Sequence, residues 1–315
     1  MYKDKKVLLI GGGGTLGTYA SKELLSLGCY VDVLCPEEKV SDNKKLRFIQ
    51  SYATNEFLEE LFKKEHYDGI VNFVHYKTVE EYKKTHTLLI NNTEHLIFIS
   101  TYRVYANEEH PITEQAPRLY DVVTDKFFLE NEDYAVPKAK CEDFLTKECA
   151  GENWTIVRPV ISFSHRRLDL LLYTGKDVLN YAKSGETMYL PNLVKDYSAG
   201  IDWAGNSGKL IANLMFKPHT FGETYTVSSA QNLTWGQAAE IYTELTGVRI
   251  HWCTMEEFLE KYPKFRGDYK WGLIYDRMFN RLIDNSKILA ATGLSKDDFL
   301  PIRDGLREEL RAFEA

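Results

Sequence analysis

Three glycines near the start of the chain have the spacing of a phosphate-binding turn. Gly11, Gly14 and Gly17 recur at every third position and follow the short apolar run 6–10. Glycines at this spacing let the backbone approach a pyrophosphate, and the N-terminus of a following helix attracts its negative charge. We therefore predict a dinucleotide site here, which includes the intervening Thr15 and Leu16.

The elements around these glycines distinguish a binding turn from a plain surface turn. The apolar run reads as a buried strand, a helical pattern begins after the turn, and a second strand follows at 30–34. This strand–turn–helix–strand context is the one in which the glycine pattern binds dinucleotides. The context therefore favours the binding turn over the plain one.

The first half of the chain goes on alternating strands with helices. Strands are predicted at 46–50, 68–74 and 95–100, with a helix at 56–64. Such alternation is typical of an α/β fold with a doubly wound parallel sheet, which binds ligands at the carboxyl ends of its strands. The residues expected to contact the cofactor at the carboxyl ends of these predicted strands are Phe73, Val74 and Ser100.

The tip of the second strand usually decides between NAD and NADP. An acidic residue there accepts a hydrogen bond from the ribose 2′-hydroxyl of NAD, and an arginine accommodates the 2′-phosphate of NADP. This chain has Cys35-Pro36-Glu37-Glu38 at that place, so we expect Cys35 to border the cofactor. The two glutamates would disfavour a 2′-phosphate and favour NAD, but they can equally be solvated loop charges, so NADP stays open.

Composition excludes several classes of protein. The 315 residues can form one large domain or two, and 44% of them are hydrophobic, as in ordinary globular proteins. We find no apolar run that could cross a bilayer, and we expect a cytoplasmic protein with no membrane partner. The formal charge of −7 gives no broad attraction for nucleic acid. The five cysteines form no Cys-x-x-Cys pair, so we predict neither disulfides nor a metal site.

Residues beyond the fifth strand give the chain a resemblance to a known superfamily. Thr101 follows that strand, and Tyr134 precedes Lys138 by four residues at the start of a predicted helix. With the glycine pattern, these residues resemble the extended short-chain dehydrogenase/reductase superfamily. Segments such as 154–159 and 283–287 resemble its NAD-dependent epimerase/dehydratase-like group. The resemblance implies a Rossmann-type sheet with a smaller C-terminal α/β substrate cap.

The resemblance also implies catalytic roles for Thr101, Tyr134 and Lys138. A tyrosine has an ordinary pKa of about 10, and a nearby ammonium favours its phenolate. Lys138 lies one helical turn beyond Tyr134 and can supply that charge while reaching the cofactor ribose. Tyr134 would exchange a proton with a substrate oxygen, Thr101 would hydrogen-bond the same oxygen, and the nicotinamide would exchange a hydride. The alternative is a Tyr–Lys contact on the protein surface.

The chain departs from the family pattern where the reaction is decided. Sugar 4,6-dehydratases of the superfamily carry an Asp-Glu pair after the catalytic threonine, and this chain has Tyr102 and Arg103 there. We therefore do not expect dehydration. The usual acid after the third strand is replaced near Ser51-Tyr52, and the aspartate pair before a late helix is reduced to Asp202-Trp203.

The resemblance divides the chain into a nucleotide domain and a cap. Residues 1–162 are expected to form the dinucleotide-binding domain, with returning segments near 198–227 and 275–290. Most of the substrate cap is expected from residues 163–197 and 228–315. The nicotinamide is expected to lie against Pro159, Val160 and Ile161.

Local patterns predict the elements of this second half. Helices are expected over 171–183, over 198–215, and over 234–245 after a Thr234 N-cap, with a strand at 225–227. An aromatic-rich stretch either packs the cap or lines a pocket, and its members include Tyr262, Phe265, Tyr269, Trp271 and Tyr275.

Candidate substrate residues are Tyr102 and the basic residues after the sixth strand. His165, Arg166 and Arg167 could meet an anionic substrate, because arginine binds phosphate oxygens in pairs. Loop arginines are also often solvated or paired with local acids. Arg277 and Arg281 are further phosphate candidates.

The sequence thus predicts an NAD(P)-dependent oxidoreductase or epimerase that transfers a hydride at a carbinol or ketone. The preferred substrate is a nucleotide sugar or a similar polyhydroxylated metabolite, and epimerisation, reduction and oxidation stay open. The alternative is a non-catalytic, dinucleotide-responsive protein that binds RNA, as chloroplast relatives of the group do. The acidic charge disfavours nucleic acid, and a homodimer is compatible with the prediction.

Overall fold

The apolar run before the glycines forms the first strand of a seven-stranded sheet. The computed structural model describes residues 1–267 and 270–314. The strands are β1 (Lys6–Ile10), β2 (Tyr30–Cys35), β3 (Leu46–Gln50), β4 (Gly69–Asn72), β5 (His95–Ile99), β6 (Trp154–Pro159), β7 (Ile161–Phe163), β8 (Thr187–Pro191), β9 (Ile201–Trp203), β10 (Glu223–Val227) and β11 (Arg249–Cys253).

The helices are α1 (Thr15–Ser26), α2 (Asn55–Phe62), α3 (Val79–Ile90), α4 (Leu119–Val122), α5 (Lys126–Asn131), α6 (Ala135–Glu148), α7 (Gly175–Ser184), α8 (Ala204–Leu214), α9 (Trp235–Thr246), α10 (Met255–Lys261), α11 (Lys270–Gly272), α12 (Ser286–Thr292) and α13 (Ile302–Glu314). A short 3₁₀ turn covers Tyr102–Val104, and a π-helical turn covers Leu273–Arg277.

Strand order confirms the predicted doubly wound fold. The sheet runs β10-β6-β5-β4-β1-β2-β3, and each neighbouring pair is parallel. The chain builds outward from β1 to β3 and then crosses to β4 on the other side of β1. Ligands of such sheets bind at the carboxyl ends of the strands beside this reversal.

Side chains of β1 alternate between two buried layers. Val7 and Leu9 pack with α1 and α8 on one face of the sheet. Leu8 and Ile10 pack with α2, α3 and α6 on the other face. This alternation follows from the two-residue period of a strand, and it explains why β1 is apolar throughout.

A third apolar cluster lies beyond the sheet and forms the core of the second half of the chain. It contains buried residues of α7, β8, α9 and α10, among them Val178, Leu190, Trp235 and Phe258. β8 pairs in parallel with β11, and β7 pairs in parallel with β9. As predicted, Thr234 caps α9, in a reciprocal capping box with Gln237.

Three predicted boundaries were wrong. β4 ends at Asn72, so Phe73 and Val74 follow the strand rather than belong to it. The helix predicted over 171–183 begins at Gly175, because Thr174 caps it and Leu171 has a φ of 54°. The helix predicted over 198–215 begins only at Ala204, because the preceding residues pair with β7 as strand β9.

The aromatic stretch packs partly within the second half of the chain and partly against α5. Phe258 and Phe265 stack with ring centroids 5.5 Å apart, and Tyr275 packs on Phe128 at 4.1 Å. Tyr269 lies outside the described residues. All five cysteines are free thiols and buried. Within residues 1–267 and 270–314, we find no helix with the length and apolarity to span a membrane.

Candidate active site

A cavity of about 510 Å³ opens at the carboxyl end of the sheet, above the glycine-rich turn. Its volume is in the range of small-molecule and cofactor sites. Ten of the predicted cofactor residues line it: Gly11, Gly14, Thr15, Leu16, Gly17, Phe73, Ser100, Pro159, Val160 and Ile161. The structure thus gathers residues from four separate parts of the chain around one space.

The glycines of the turn have different physical reasons to lack a side chain. Gly11 has a φ of 71°, which favours glycine. A Cβ on Gly17 would lie 2.2 Å from the Gly12 carbonyl oxygen, so only glycine lets α1 pack against the turn. A Cβ on Gly14 would meet no protein atom within 4 Å, although Gly14 lines the cavity. Its missing side chain leaves room for a ligand.

The start of α1 suits the pyrophosphate of a dinucleotide. Gly14 is the N-cap of this helix and makes no side-chain capping bond. The first backbone N–H groups of a helix lack partners within it, and the helix dipole adds positive potential there. Together with the open position at Gly14, these groups fit a bound dinucleotide.

Thr101 and Tyr134 lie on the wall of the same cavity. The Thr101 hydroxyl accepts a hydrogen bond of 3.2 Å from the Arg103 backbone N–H, and a hydroxyl that accepts still has its own hydrogen to donate. The Tyr134 ring lies 5.2 Å from the His75 ring, and the Arg103 guanidinium lies over it at 5.0 Å. These contacts hold the two hydroxyl side chains beside the predicted nicotinamide position.

Glu132 fixes the start of the helix that carries Tyr134. Its Oε2 accepts hydrogen bonds from the backbone N–H groups of Tyr134 at 3.0 Å and Val136 at 2.9 Å. Its Oε1 accepts from Arg103 Nη2 at 3.3 Å. One carboxylate therefore satisfies the first turn of α6 and holds the arginine that lies over Tyr134.

Lys138 is buried under the cavity and is not among the described residues that line it. Its Nζ donates to the Ile99 carbonyl at 2.6 Å and the Val74 carbonyl at 3.1 Å, at the ends of β5 and β4. Burial lowers the pKa of this ammonium to about 8. Lys138 is thus placed one helical turn from Tyr134, anchored to two strand ends.

Ser100 is tied to a buried ion pair beneath the cavity. Its hydroxyl donates to Glu142 Oε1 at 2.5 Å, and Arg158 donates to both oxygens of Glu142, at 2.9 and 2.7 Å. Burial alone would raise the pKa of Glu142, but Arg158 and these hydrogen bonds hold it below its usual range. The pair joins α6 to β6 and fixes the floor on which Ser100 lies.

The far end of the cavity is strongly polar. Tyr102, Arg103, Arg167, Asp276 and Arg277 all line it. The Tyr102 hydroxyl donates to Asp276 at 2.6 Å and accepts from Arg277 at 2.9 Å. Burial raises the pKa of Tyr102, so it stays a neutral donor. For Asp276, burial opposes ionisation, but the surrounding arginines lower its pKa overall.

Several predicted residues lie apart from the described lining of the cavity. Val74 contributes its carbonyl to Lys138, and the Cys35 thiol donates to the Glu37 carbonyl at 3.6 Å. Arg281 is buried under Tyr102, with its guanidinium 4.9 Å from that ring, and donates to the Tyr105 carbonyl. The expectation that Arg281 meets a substrate phosphate is therefore not supported by its position.

His165 and Arg166 belong to a hairpin turn that lies on the glycine-rich turn instead of in the cavity. Ser164 and Arg167 close this hairpin by two backbone hydrogen bonds of 3.0 and 2.8 Å. The Ser164 hydroxyl lies 3.0 Å from that of Thr15, and Arg166 Nη1 donates to the Gly13 carbonyl at 2.7 Å. Arg166 thus contacts the glycine-rich turn, and its substrate role stays a prediction.

Glu309, on α13, holds this hairpin in place. Its Oε2 accepts from the His165 backbone N–H at 2.6 Å and lies 3.1 Å from His165 Nδ1. Its Oε1 accepts from Trp203 Nε1 at 2.7 Å and from the Tyr19 hydroxyl. The carboxylate therefore connects the hairpin to α1 and to the end of β9.

Sequence reasoning missed four residues of the cavity wall: Ile99, Arg103, Ser162 and Asp276. Ile99 and Ser162 adjoin predicted contacts, so strand position could have indicated them. Arg103 entered only as a residue that cannot act as an acid. Asp276 lies within the aromatic stretch, and no local pattern singles it out.

Comparison with known proteins places these features in context. Residues 7–170, about half of the chain, match the NAD dependent epimerase/dehydratase family. No curated protein sequence matches the chain.

Similar folds occur in solved epimerase structures. An epimerase from Methanothermobacter thermautotrophicus is 15% identical, with a TM-score of 0.71 over 99% of this chain and 93% of that one. UDP-glucose 4-epimerase of Thermus thermophilus, in complex with NAD, is 17% identical, with a TM-score of 0.67 over 98% and 99%. UDP-glucose-4-epimerase of Stenotrophomonas maltophila, with bound NAD and formylated UDP-arabinopyranose, is 15% identical, with a TM-score of 0.70 over 98% of each chain. At these identities the likeness shows the fold.

Proposed function

The chain belongs to the NAD dependent epimerase/dehydratase family, and from that membership we propose that it is an NAD(P)-dependent epimerase or oxidoreductase. It would transfer a hydride at a carbinol or ketone of a nucleotide sugar or a similar polyhydroxylated metabolite. One observation carries this proposal: Thr101 and Tyr134 lie on the wall of the cavity that the glycine-rich turn and residues 159–161 also line.

The proposed chemistry divides between the cofactor and the chain. When bound, the nicotinamide supplies a centre that accepts or donates a hydride. Tyr134 removes a proton from a substrate hydroxyl, or returns one to a carbonyl oxygen. Thr101 donates a hydrogen bond to the same oxygen. Lys138, held by two strand-end carbonyls, supplies positive charge near Tyr134 and favours its phenolate.

The polar end of the cavity supports an anionic substrate. Arg103, Arg167 and Arg277 face it together, with Asp276 as the lining carboxylate. Arginine binds phosphate oxygens in pairs, as a nucleotide diphosphate would require. The Stenotrophomonas epimerase of similar fold binds a UDP-linked sugar. A UDP-sugar is therefore the first substrate class to test.

The remaining features of the proposal follow from the sequence and the family. Residues 1–162, with segments near 198–227 and 275–290, would bind the dinucleotide, and residues 163–197 and 228–315 would mainly cap the substrate. Glu37 and Glu38 support NAD as the cofactor, whereas Lys39 and Arg166, which both donate to the Gly13 carbonyl, support NADP. The proposal also includes a cytoplasmic location and is compatible with a homodimer.

A substrate panel tests the proposal. The purified protein is incubated with NAD or NADP and with individual UDP-sugars, and the sugars are followed by NMR for inversion of a carbinol centre or oxidation. We expect conversion of at least one sugar, and a dinucleotide among the compounds that copurify. Dinucleotide binding with no conversion, and tight binding of a structured RNA that weakens steeply with salt, would instead support the non-catalytic alternative.

A further inference from the structure

Two cationic side chains from distant parts of the chain converge on one backbone oxygen of the glycine-rich turn. Lys39 Nζ donates to the Gly13 carbonyl oxygen at 2.5 Å, and Arg166 Nη1 donates to the same oxygen at 2.7 Å. Their nitrogen atoms are therefore within about 5 Å of each other, where like charges repel. The shared carbonyl carries no net charge to offset this repulsion. An anion beside the two cations would relieve it.

The converging cations lie at the corner where the turn meets the tip of β2. A Cβ added to Gly13 would lie 2.7 Å from Cys35 Cβ and 2.9 Å from Glu37 Oε2. In doubly wound folds the adenosine ribose lies at this corner, and its 2′ position is read there. A dinucleotide bound as in those folds would bring its 2′ group, a hydroxyl in NAD and a phosphate in NADP, to Lys39 and Arg166.

Glu37 offsets only one of the two positive charges. Its pKa lies below the usual range, first because its own backbone N–H bonds to it, and then because the Cys35 thiol, Lys39 and Arg166 stabilise the ionised form. Among Lys39, Arg166 and Glu37, one positive charge therefore remains. Arg166 is exposed and Lys39 is half-buried, so both side chains can turn toward a bound anion.

We propose that Lys39 and Arg166 bind the 2′-phosphate of NADP(H), so that the protein binds NADPH at least as tightly as NADH. The inference rests on the proposed function, because it requires a dinucleotide at the glycine-rich turn. The arginine presents paired donors to the phosphate oxygens, and the lysine presents a point charge. The hairpin contacts of Ser164 with Thr15 and of His165 with Glu309 keep Arg166 over this corner.

Equilibrium titration with NADH and NADPH tests the inference without any substrate. The proteins compared are the unmodified chain, Arg166→Ala, Lys39→Ala and the control Lys22→Ala. The control removes an exposed positive charge from α1, away from the two proposed phosphate ligands. Each of the first two variants should weaken NADPH binding by about tenfold or more, as expected for a lost charge-assisted hydrogen bond. NADH affinity should stay within about twofold, which also shows that the variants fold.

Further measurements isolate the contribution of the 2′-phosphate to binding. Glu37→Gln should strengthen NADPH binding, because it removes a negative charge that interacts with both cations. 2′,5′-ADP should displace NADPH better than 5′-ADP does from the unmodified protein, and Arg166→Ala should abolish that difference. Lys22→Ala should leave the NADPH-to-NADH affinity ratio unchanged.

Distinct results overturn the inference and the proposed function. NADH binding more than about twofold tighter than NADPH in the unmodified protein would overturn the inference alone. Equal losses of both dinucleotides in Arg166→Ala, or the same change of ratio in Lys22→Ala, would overturn it too. Failure of the unmodified protein to bind either dinucleotide would contradict the proposed function itself.

Discussion

Tyr102 donates a hydrogen bond of 2.6 Å to Asp276, although 174 residues separate the two in the chain. The same hydroxyl accepts from Arg277, so it joins a carboxylate and a guanidinium at the far end of the cavity. Both partners are buried. The residue after the predicted catalytic threonine thus orders the polar end of the cavity instead of acting as an acid.

Tyr102→Phe should lower the free energy of unfolding by about 1–3 kcal/mol, because it leaves a buried carboxylate and a buried guanidinium each short of a hydrogen-bond partner. Urea unfolding of both proteins measures the difference. The control Tyr52→Phe removes a hydroxyl from a side chain that is 74% exposed, and should change stability by less than about 0.5 kcal/mol. Equal effects of the two substitutions would contradict this account.

Tyr134→Phe should reduce turnover at least a hundredfold, roughly the smallest effect expected of a lost general acid–base group. Affinity for the dinucleotide should hardly change, since the substitution removes only one hydroxyl. The measurements are the rate with the substrate identified by the UDP-sugar panel, and a separate dinucleotide titration. Full turnover by the variant would remove Tyr134 from the mechanism.

Lys138 should make the free energy of unfolding rise with pH in the alkaline range. Burial lowers its pKa from 10.5 to about 8. Between these pH values the unfolded chain holds a proton that the folded protein has released, so the free energy of unfolding rises with pH. The rise attributable to Lys138 should reach about 3 kcal/mol.

Urea unfolding across that pH range, for the unmodified protein and for Lys138→Met, isolates this contribution as a difference in slope. The control is Lys147→Met, because Lys147 lies on the same helix and its side chain is 70% exposed. This variant should keep the full rise of the unfolding free energy with pH. If Lys138→Met shows the same slope as the unmodified protein, Lys138 keeps an ordinary pKa.

Glu142→Gln should lower the free energy of unfolding by about 3–5 kcal/mol, because it leaves the buried Arg158 without its counter-charge. Glu148→Gln is the matched control on the same helix. That carboxylate is 57% exposed and pairs with Lys83, so its loss should cost less than about 1 kcal/mol. The prediction fails if the two variants unfold at the same urea concentration.

Features carried by one continuous stretch could be predicted from the sequence. The turn between Gly11 and Gly17 is such a case, because the apolar run before it and the helix after it are its neighbours in the chain. The capping box of Thr234 with Gln237 is another. In both, residue type and spacing alone decide the local backbone.

Features that depend on how the second half of the chain packs onto the sheet could not be predicted from the sequence. Asp276 reaches Tyr102 across 174 residues, and Arg166 reaches Gly13 across 153. Strands β7 and β9 have three residues each, too few for an alternating pattern to appear. Their pairing is set by long-range contacts, which is why a helix was expected where β9 lies.

The contacts of Glu309 can form only late in the synthesis of the described chain. It accepts a hydrogen bond from Tyr19, 290 residues earlier, and it holds the hairpin that touches Thr15. Translation is N- to C-terminal, so it delivers the glycine-rich turn well before α13. On the ribosome, the glycine-rich turn and its hairpin therefore lack the hydrogen bonds of Glu309 until that residue has emerged from the exit tunnel.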